Sequence, residues 1–143
     1  MTTGPPRLVA DALARLEVVA DTYLSVSTPV QVAAPELLAR REELQAPIRE
    51  RVSSNLRALR SAIGPACPAT LLEPEGGWYA VIRVPATRSE DERVTRLLEE
   101  RDVLVHPGYF FDFPGEAYLV LSLLPPTREF AEAVSRVLAD LVL

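Results

Sequence analysis

Apolar positions recur at three- and four-residue spacing over residues 5–23. Leu8, Ala12, Leu16, Val19 and Tyr23 form the row, widened by Val9 and Leu13. That period is helical. Pro5 and Pro6 suit the first turn, where a missing amide donor costs nothing. Val18 beside Val19 makes the helix apolar on more than one side. Ser25 to Pro29 break the pattern, because a residue preceding proline avoids the helical region. A second helix is expected from near Pro35, with Glu36 at its positive end. Pro47 should kink or interrupt it near Gln45, since proline removes a hydrogen bond and crowds the preceding turn. Beyond Pro47, the residues Ile48, Val52, Leu56, Leu59 and Ile63 make a clean apolar stripe that Gly64-Pro65 stops.

The second half changes period. Glu73-Pro74-Glu75-Gly76-Gly77 signals a turn. Trp78 to Val84 is rich in β-branched and aromatic residues and reads as a strand closed by Pro85. Ser89-Glu90-Asp91-Glu92 is a capping box, opening a short helix through Val94, Leu97 and Leu98. Val103-Leu104-Val105 reads as a short strand, Tyr109 to Gly115 as an aromatic loop, and Tyr118 to Leu124 as a second good strand ended by Pro125-Pro126. Thr127 can cap a last helix with Phe130, Ala133, Val134, Val137, Leu138 and Leu141 on its face. The order predicts an α+β fold: two long N-terminal helices, then a small, mostly antiparallel three-stranded sheet covered by helices. There is no internal repeat.

Composition narrows the chemistry. With 143 residues, 48% apolar and 24% charged, the chain suits one ordered domain. A net charge of −5 argues against a nucleic-acid face. No apolar run approaches the length of a membrane helix, and no signal peptide is evident, so a cytoplasmic protein is expected. All 15 basic residues are Arg, which excludes chemistry that needs a lysine amine. One Cys (Cys67) and one His (His106) cannot build a Cys/His zinc site, so no metal is expected. His106 could act as a base beside Ser122 or Asp112. A lone His next to a Pro-Gly turn is more often structural, and Cys67 has no activating neighbour in sequence. Arg49, Arg51, Arg57 and Arg60 read as a solvated helix face paired with Glu42, Glu43 and Glu50.

Several segments together carry a resemblance. Gly76-Gly77-Trp78-Tyr79 opening the first strand, Val105-His106-Pro107-Gly108-Tyr109-Phe110-Phe111, and Glu116-Ala117-Tyr118-Leu119-Val120-Leu121-Ser122 resemble blocks of the C-terminal small domain of class I/II aminotransferases. These are fold-type-I pyridoxal-phosphate (PLP) enzymes. Ser27-Thr28-Pro29-Val30-Gln31-Val32-Ala33-Ala34 and the helix from Ile48-Arg49-Glu50-Arg51 to Asn55-Leu56 are similar to earlier family blocks, in the same order and spacing.

The resemblance implies that residues 1–34 are a linker helix and loop bridging to a missing large domain, and residues 35–143 the small domain. It also implies that PLP is bound in a parent enzyme, that no covalent PLP is expected on this lysine-free chain, and that the isolated chain is inactive, with no catalytic residue of its own. Gly77 and Trp78 would edge the substrate pocket. Pro107, Gly108 and Tyr109 would form a mobile loop over the cleft, with Gly108 supplying freedom at the turn. Where the family carries a carboxylate-gripping Arg, this chain has Val120. Arg83 is a candidate replacement on the neighbouring strand, since a guanidinium pairs with a carboxylate in two-pronged fashion. Exposed apolar surface on the first helix implies a homodimer or other self-association. A non-catalytic binding module on the same fold is the alternative. A ferredoxin-like regulatory domain fits poorly with two helices before the first strand.

Overall fold

The computed structural model describes residues 3–23, 26–115 and 117–142. Ser25 and Glu116, which belong to the break and strand readings above, lie outside them. The chain divides into two units, residues 1–43 and 44–143.

The first unit holds helices α1 (Pro6–Tyr23) and α2 (Thr28–Ala39) and the start of α3 (Arg41–Ala62). α1 matches its apolar period, but none of its residues is buried. α2 corrects the expected start near Pro35. It begins seven residues earlier, with Ser27 as N-cap and a proline in its first turn, so Pro29 initiates the helix and Pro35 sits inside it. Proline's fixed φ is already helical there and its lost donor had no partner anyway. The break also falls elsewhere than expected. It comes at Arg40, whose N–H closes onto the carbonyls of Glu36 and Leu38, whereas α3 runs through Pro47. The segment around Pro47 is exposed, so water can pair with the carbonyl that proline leaves unbonded.

In the second unit, β1 (Thr70–Leu72), β2 (Tyr79–Arg83), α4 (Glu90–Arg101), β3 (His106–Pro107), a 3-10 turn (Gly108–Phe111), β4 (Tyr118–Ser122) and α5 (Thr127–Asp140) follow α3. The sheet has four strands in the order β1-β2-β4-β3, all antiparallel. The expected count was three. The added strand, β1, is three residues long, too short for an alternation to show. The Val103–Val105 strand is also corrected, because the ladder forms at His106–Pro107 instead. The preceding residues are used to close α4. Asp102 takes a left-handed conformation (φ 55°), and the Val103 N–H bonds the Leu97 carbonyl at 3.0 Å. At α5, Pro126 rather than Thr127 occupies the N-cap position.

Register decides which face is which, because directly paired residues point the same way. Ala80 pairs with Leu121 and Ile82 with Leu119. These four form the core with Leu59 of α3, Leu97 of α4 and Phe130, Val134 and Val137 of α5. Each Leu, Ile, Val or Phe among them contributes about 1.5–3 kcal/mol by leaving water. The α3 stripe reads as predicted through Val52, Leu56, Leu59 and Ile63, although Ile48 remains exposed. Asn55, fully buried on the same helix, donates to the carbonyls of Leu123 and Pro125 at 3.0 and 2.8 Å, fixing the end of β4. The capping box is present as read: Ser89 Oγ accepts from the Glu92 N–H and Glu92 reaches back to the Ser89 N–H.

Candidate functional site

The other face of the sheet is set by the same register. Tyr79 pairs with Ser122, Val81 with Val120, Arg83 with Tyr118, and His106 with Val120 from the opposite side. These residues therefore share one face, turned away from the hydrophobic core. Val120 is central to it, yet only 1% exposed.

Phe111 explains that burial. Its ring lies 5.5 Å from Tyr79 on β2, edge-on, and 6.1 Å from His106 on β3. β4 runs between those strands, each about 4.8 Å away, so Phe111 lies across β4 over Val120. Phe110 also stands 6.1 Å from His106, and Tyr109 packs edge-on against Phe110 at 4.9 Å. The ring of Trp78, the residue before Tyr79, lies 6.4 Å from the Tyr79 ring. Trp78 and Phe110 remain 50% and 62% exposed. The result is an apolar, aromatic surface with water on its outer side.

The turn carrying these rings is anchored to α4. Glu90, the first residue of that helix and nearly fully buried, accepts the Tyr109 N–H on Oε2 at 3.2 Å and the Tyr118 N–H on Oε1 at 2.8 Å. The Tyr109 hydroxyl donates to Asp91 Oδ1 at 2.8 Å. That bond, followed by desolvation and the nearby negative charges of Asp91 and Glu90, raises the Tyr109 pKa above its ordinary value of 10.0. The role expected of Gly108 is corrected. Its φ is not left-handed. Glycine is required because an added Cβ would meet the Tyr118 Cβ at 2.6 Å and Glu90 Oε1 at 3.1 Å.

The sequence-predicted residues are thus brought to one region, unevenly. Gly77, with φ +77°, and Trp78 enter β2 at the end where the Leu123 N–H bonds the Trp78 carbonyl at 2.7 Å. Pro107, Gly108 and Tyr109 lead from β3 into the aromatic turn, and Val120 lies beneath it. Arg83 sits at the opposite end of β2, exposed, making no hydrogen bond or ion pair among the described residues. It lines a shallow hollow with Pro68, Thr70, Pro85 and Ala117. His106 has phenyl rings as neighbours, and no hydrogen bond joins it to Ser122 or Asp112 among the described residues; Ser122 Oγ instead accepts from the Leu124 N–H. A separate groove lies between residues 102–105 and α5, and it carries mixed charges rather than a convergent set.

Sequence reasoning missed Glu90 as an anchor. Its position after a capping Ser was visible, but its partners lie 19 and 28 residues away. Among the described residues no group of three His, Cys, Asp or Glu could hold a metal ion, and no helix is long and apolar enough to cross a membrane. The chain also has no lysine to hold PLP covalently.

No protein-family model matches the chain. LL-diaminopimelate aminotransferase of Nitratidesulfovibrio vulgaris is 36% identical over 95 residues, covering 66% of this chain and 23% of that protein. The protein of the same name from Aquifex aeolicus is 37% identical over 60 residues, 42% of this chain and 16% of that one. The chain thus spans less than a quarter of the length of these curated relatives. Among solved structures, a probable N-succinyldiaminopimelate aminotransferase from Thermus thermophilus aligns with a TM-score of 0.69 and 29% identity, over 92% of this chain and 35% of that one. Aspartate aminotransferase from Thermotoga maritima aligns at 0.67 over 96% of this chain and 34% of that one, with 24% identity, a likeness of fold alone. Sequence and fold agree: the chain matches a fragment of a fold-type-I aminotransferase, with the architecture of the small domain of those proteins.

Proposed function

We propose that this chain forms one wall of the substrate cleft in a PLP-dependent aminotransferase-like protein, and that the reactive amine of that protein lies on polypeptide outside this sequence. The observation that carries the reading is the second face of the sheet. In a small sheet a face turned away from the core is ordinarily polar, but here it presents Tyr79, Val81, Val120 and the aromatic turn. Gly77, Trp78, Pro107, Gly108 and Tyr109 are the residues proposed to line the substrate side of this wall. The residues present do not fit covalent PLP, because every basic side chain is a guanidinium, so the cofactor belongs to the parent and not to this chain.

At Val120 the wall offers an incoming ligand no charge. Arg83 is the cation available on the same face. It stands level with Tyr118, two residues or about 7 Å along β4 from Val120. A substrate carboxylate directed to this chain would therefore meet Arg83 rather than the centre of the sheet. The parent is proposed to be cytoplasmic, and the piece alone to self-associate through α1.

A chimera tests the reading. The matching segment of the Nitratidesulfovibrio vulgaris protein is replaced by this chain, and PLP absorbance and amino transfer are measured across a panel of amino acids. The expected result is a folded chimera that carries PLP on the host's lysine and turns over. A chimera that folds and holds PLP yet transfers no amino group from any donor overturns the reading. The chain alone, mixed with PLP, should give no stable visible-range band.

A further inference from the structure

We infer that Glu90 is a positioning residue of the aromatic wall: its side chain holds the turn Gly108–Phe111 in place over the sheet by joining that turn to the first residue of β4. Glu90 is only 5% exposed. One carboxyl oxygen takes the Tyr109 N–H and the other takes the Tyr118 N–H. Neither amide has a backbone partner among the described residues. Tyr118 starts β4, but its N–H points to Glu90 rather than into the ladder, and Tyr109 lies at the beginning of a 3-10 turn, where amides have no intrahelical acceptor. Two segments nine residues apart thus share a single side chain as acceptor for their part-buried donors, and a donor left unpaired away from water is costly.

The packing around Glu90 leaves little alternative. Gly108 approaches Tyr118 so closely that no side chain fits between them, and Glu90 Oε1 stands 3.1 Å from where a Cβ would be. The next residue, Asp91, holds the Tyr109 hydroxyl from the outer side. The first turn of α4 therefore grips the aromatic turn from two directions, and Phe111 reaches Tyr79 and His106 from that fixed base. Glu90 acts on the wall through the backbone N–H of Tyr109.

The consequence for ligand binding rests on the cleft-wall reading above; the placement of the turn does not. The test is amide hydrogen exchange and ring-to-ring cross-peaks, read by NMR on the full chain as wild type, Glu90→Gln and Val137→Ala. Glutamine keeps the length of the side chain but replaces one acceptor oxygen with a donor, so one of the two amides loses its partner. In Glu90→Gln at least one of the Tyr109 and Tyr118 amides should exchange at least tenfold faster, with the Leu97 and Val134 amides unchanged and the Tyr79–Phe111 cross-peak lost. Val137→Ala, which loosens the core, should instead speed all four alike and keep that cross-peak. Unchanged protection or an intact cross-peak in Glu90→Gln overturns the proposal, as does the same pattern in both variants. Should Glu90→Gln fail to fold, the wild-type chain decides: the two amides should open together with one protection factor, and protection factors differing tenfold overturn the proposal. A failed chimera in the preceding experiment leaves these readings untouched.

Discussion

Gly108 and Tyr118 approach so closely that a methyl group on Gly108 would stand 2.6 Å from the Tyr118 Cβ. The obstacle is the base of a strand residue rather than the tip of a long side chain, so it cannot swing away. Gly108→Ala must push the aromatic turn off β4 or distort the strand. Overpacking of this kind costs about 1–3 kcal/mol. Urea unfolding of the variant should show a lower midpoint with an unchanged slope, and an unshifted midpoint would refute the close contact.

Asp140 at the end of α5 is buried with Arg93 of α4 at 3.3 Å, and Arg96 reaches its other oxygen at 2.8 Å. Arg93 also donates to the Pro85 carbonyl and the Thr87 hydroxyl. Burial pushes the Arg93 guanidinium down from its ordinary value, and the Asp140 charge beside it pulls the other way. Removing the anion leaves a buried cation without its partner, at a cost of about 3–5 kcal/mol. Asp140→Asn should therefore consume much of the stability of a domain this size. Replacing both members, as Arg93→Met with Asp140→Leu, should be far milder than the single change. Thermal melts of the single and double variants check this; equal losses would show that the pair is not coupled.

How much of this was legible in the sequence depends on how local the cause is. The Ser89 capping box is written in four consecutive residues and forms as read. The α3 stripe follows from its helical period, and β2 and β4 follow from their β-branched and aromatic content, although β4 is buried on both faces. The breaks were harder to place. Pro29, Pro35 and Pro47 are chemically alike, and only the position of each within its helix decides whether it starts the helix or is tolerated inside it. β1 is fixed by pairing to Arg83, Ile82 and Val81, partners that a three-residue segment does not announce. The candidate wall was legible as separate motifs. Phe111 lying across β4, and the grip of Glu90 on it, are long-range relationships that no spacing rule encodes.

The Tyr109 hydroxyl gives a pH reading of the turn. Its pKa is raised chiefly by the hydrogen bond to Asp91, so the folded state favours the protonated phenol. Whatever this bond contributes is fully present below pH 10 and is lost as the pH rises through the higher folded value. Ultraviolet titration should show one tyrosine ionising above the ordinary range. In Asp91→Asn that component should move back toward 10, since the acceptor's charge is gone. A titration identical in both proteins would mean that the bond does not form in solution.

α1 supplies the last prediction. Leu8, Leu13, Leu16, Val19 and Tyr23 are all at least half exposed on this helix. Their three- and four-residue spacing gathers them toward one side instead of scattering them around the circumference. A contiguous apolar row left in water seeks a partner, and the row present on every copy is another α1. Sedimentation velocity should show association that grows with concentration. Leu16→Glu with Val19→Glu places two like charges in the middle of the row, where self-pairing would bury them. That variant should sediment as a monomer at concentrations where the wild type does not, and its helical circular dichroism should be preserved because Glu is a good helix former. A wild-type chain that remains strictly monomeric at high concentration would exclude self-association through α1.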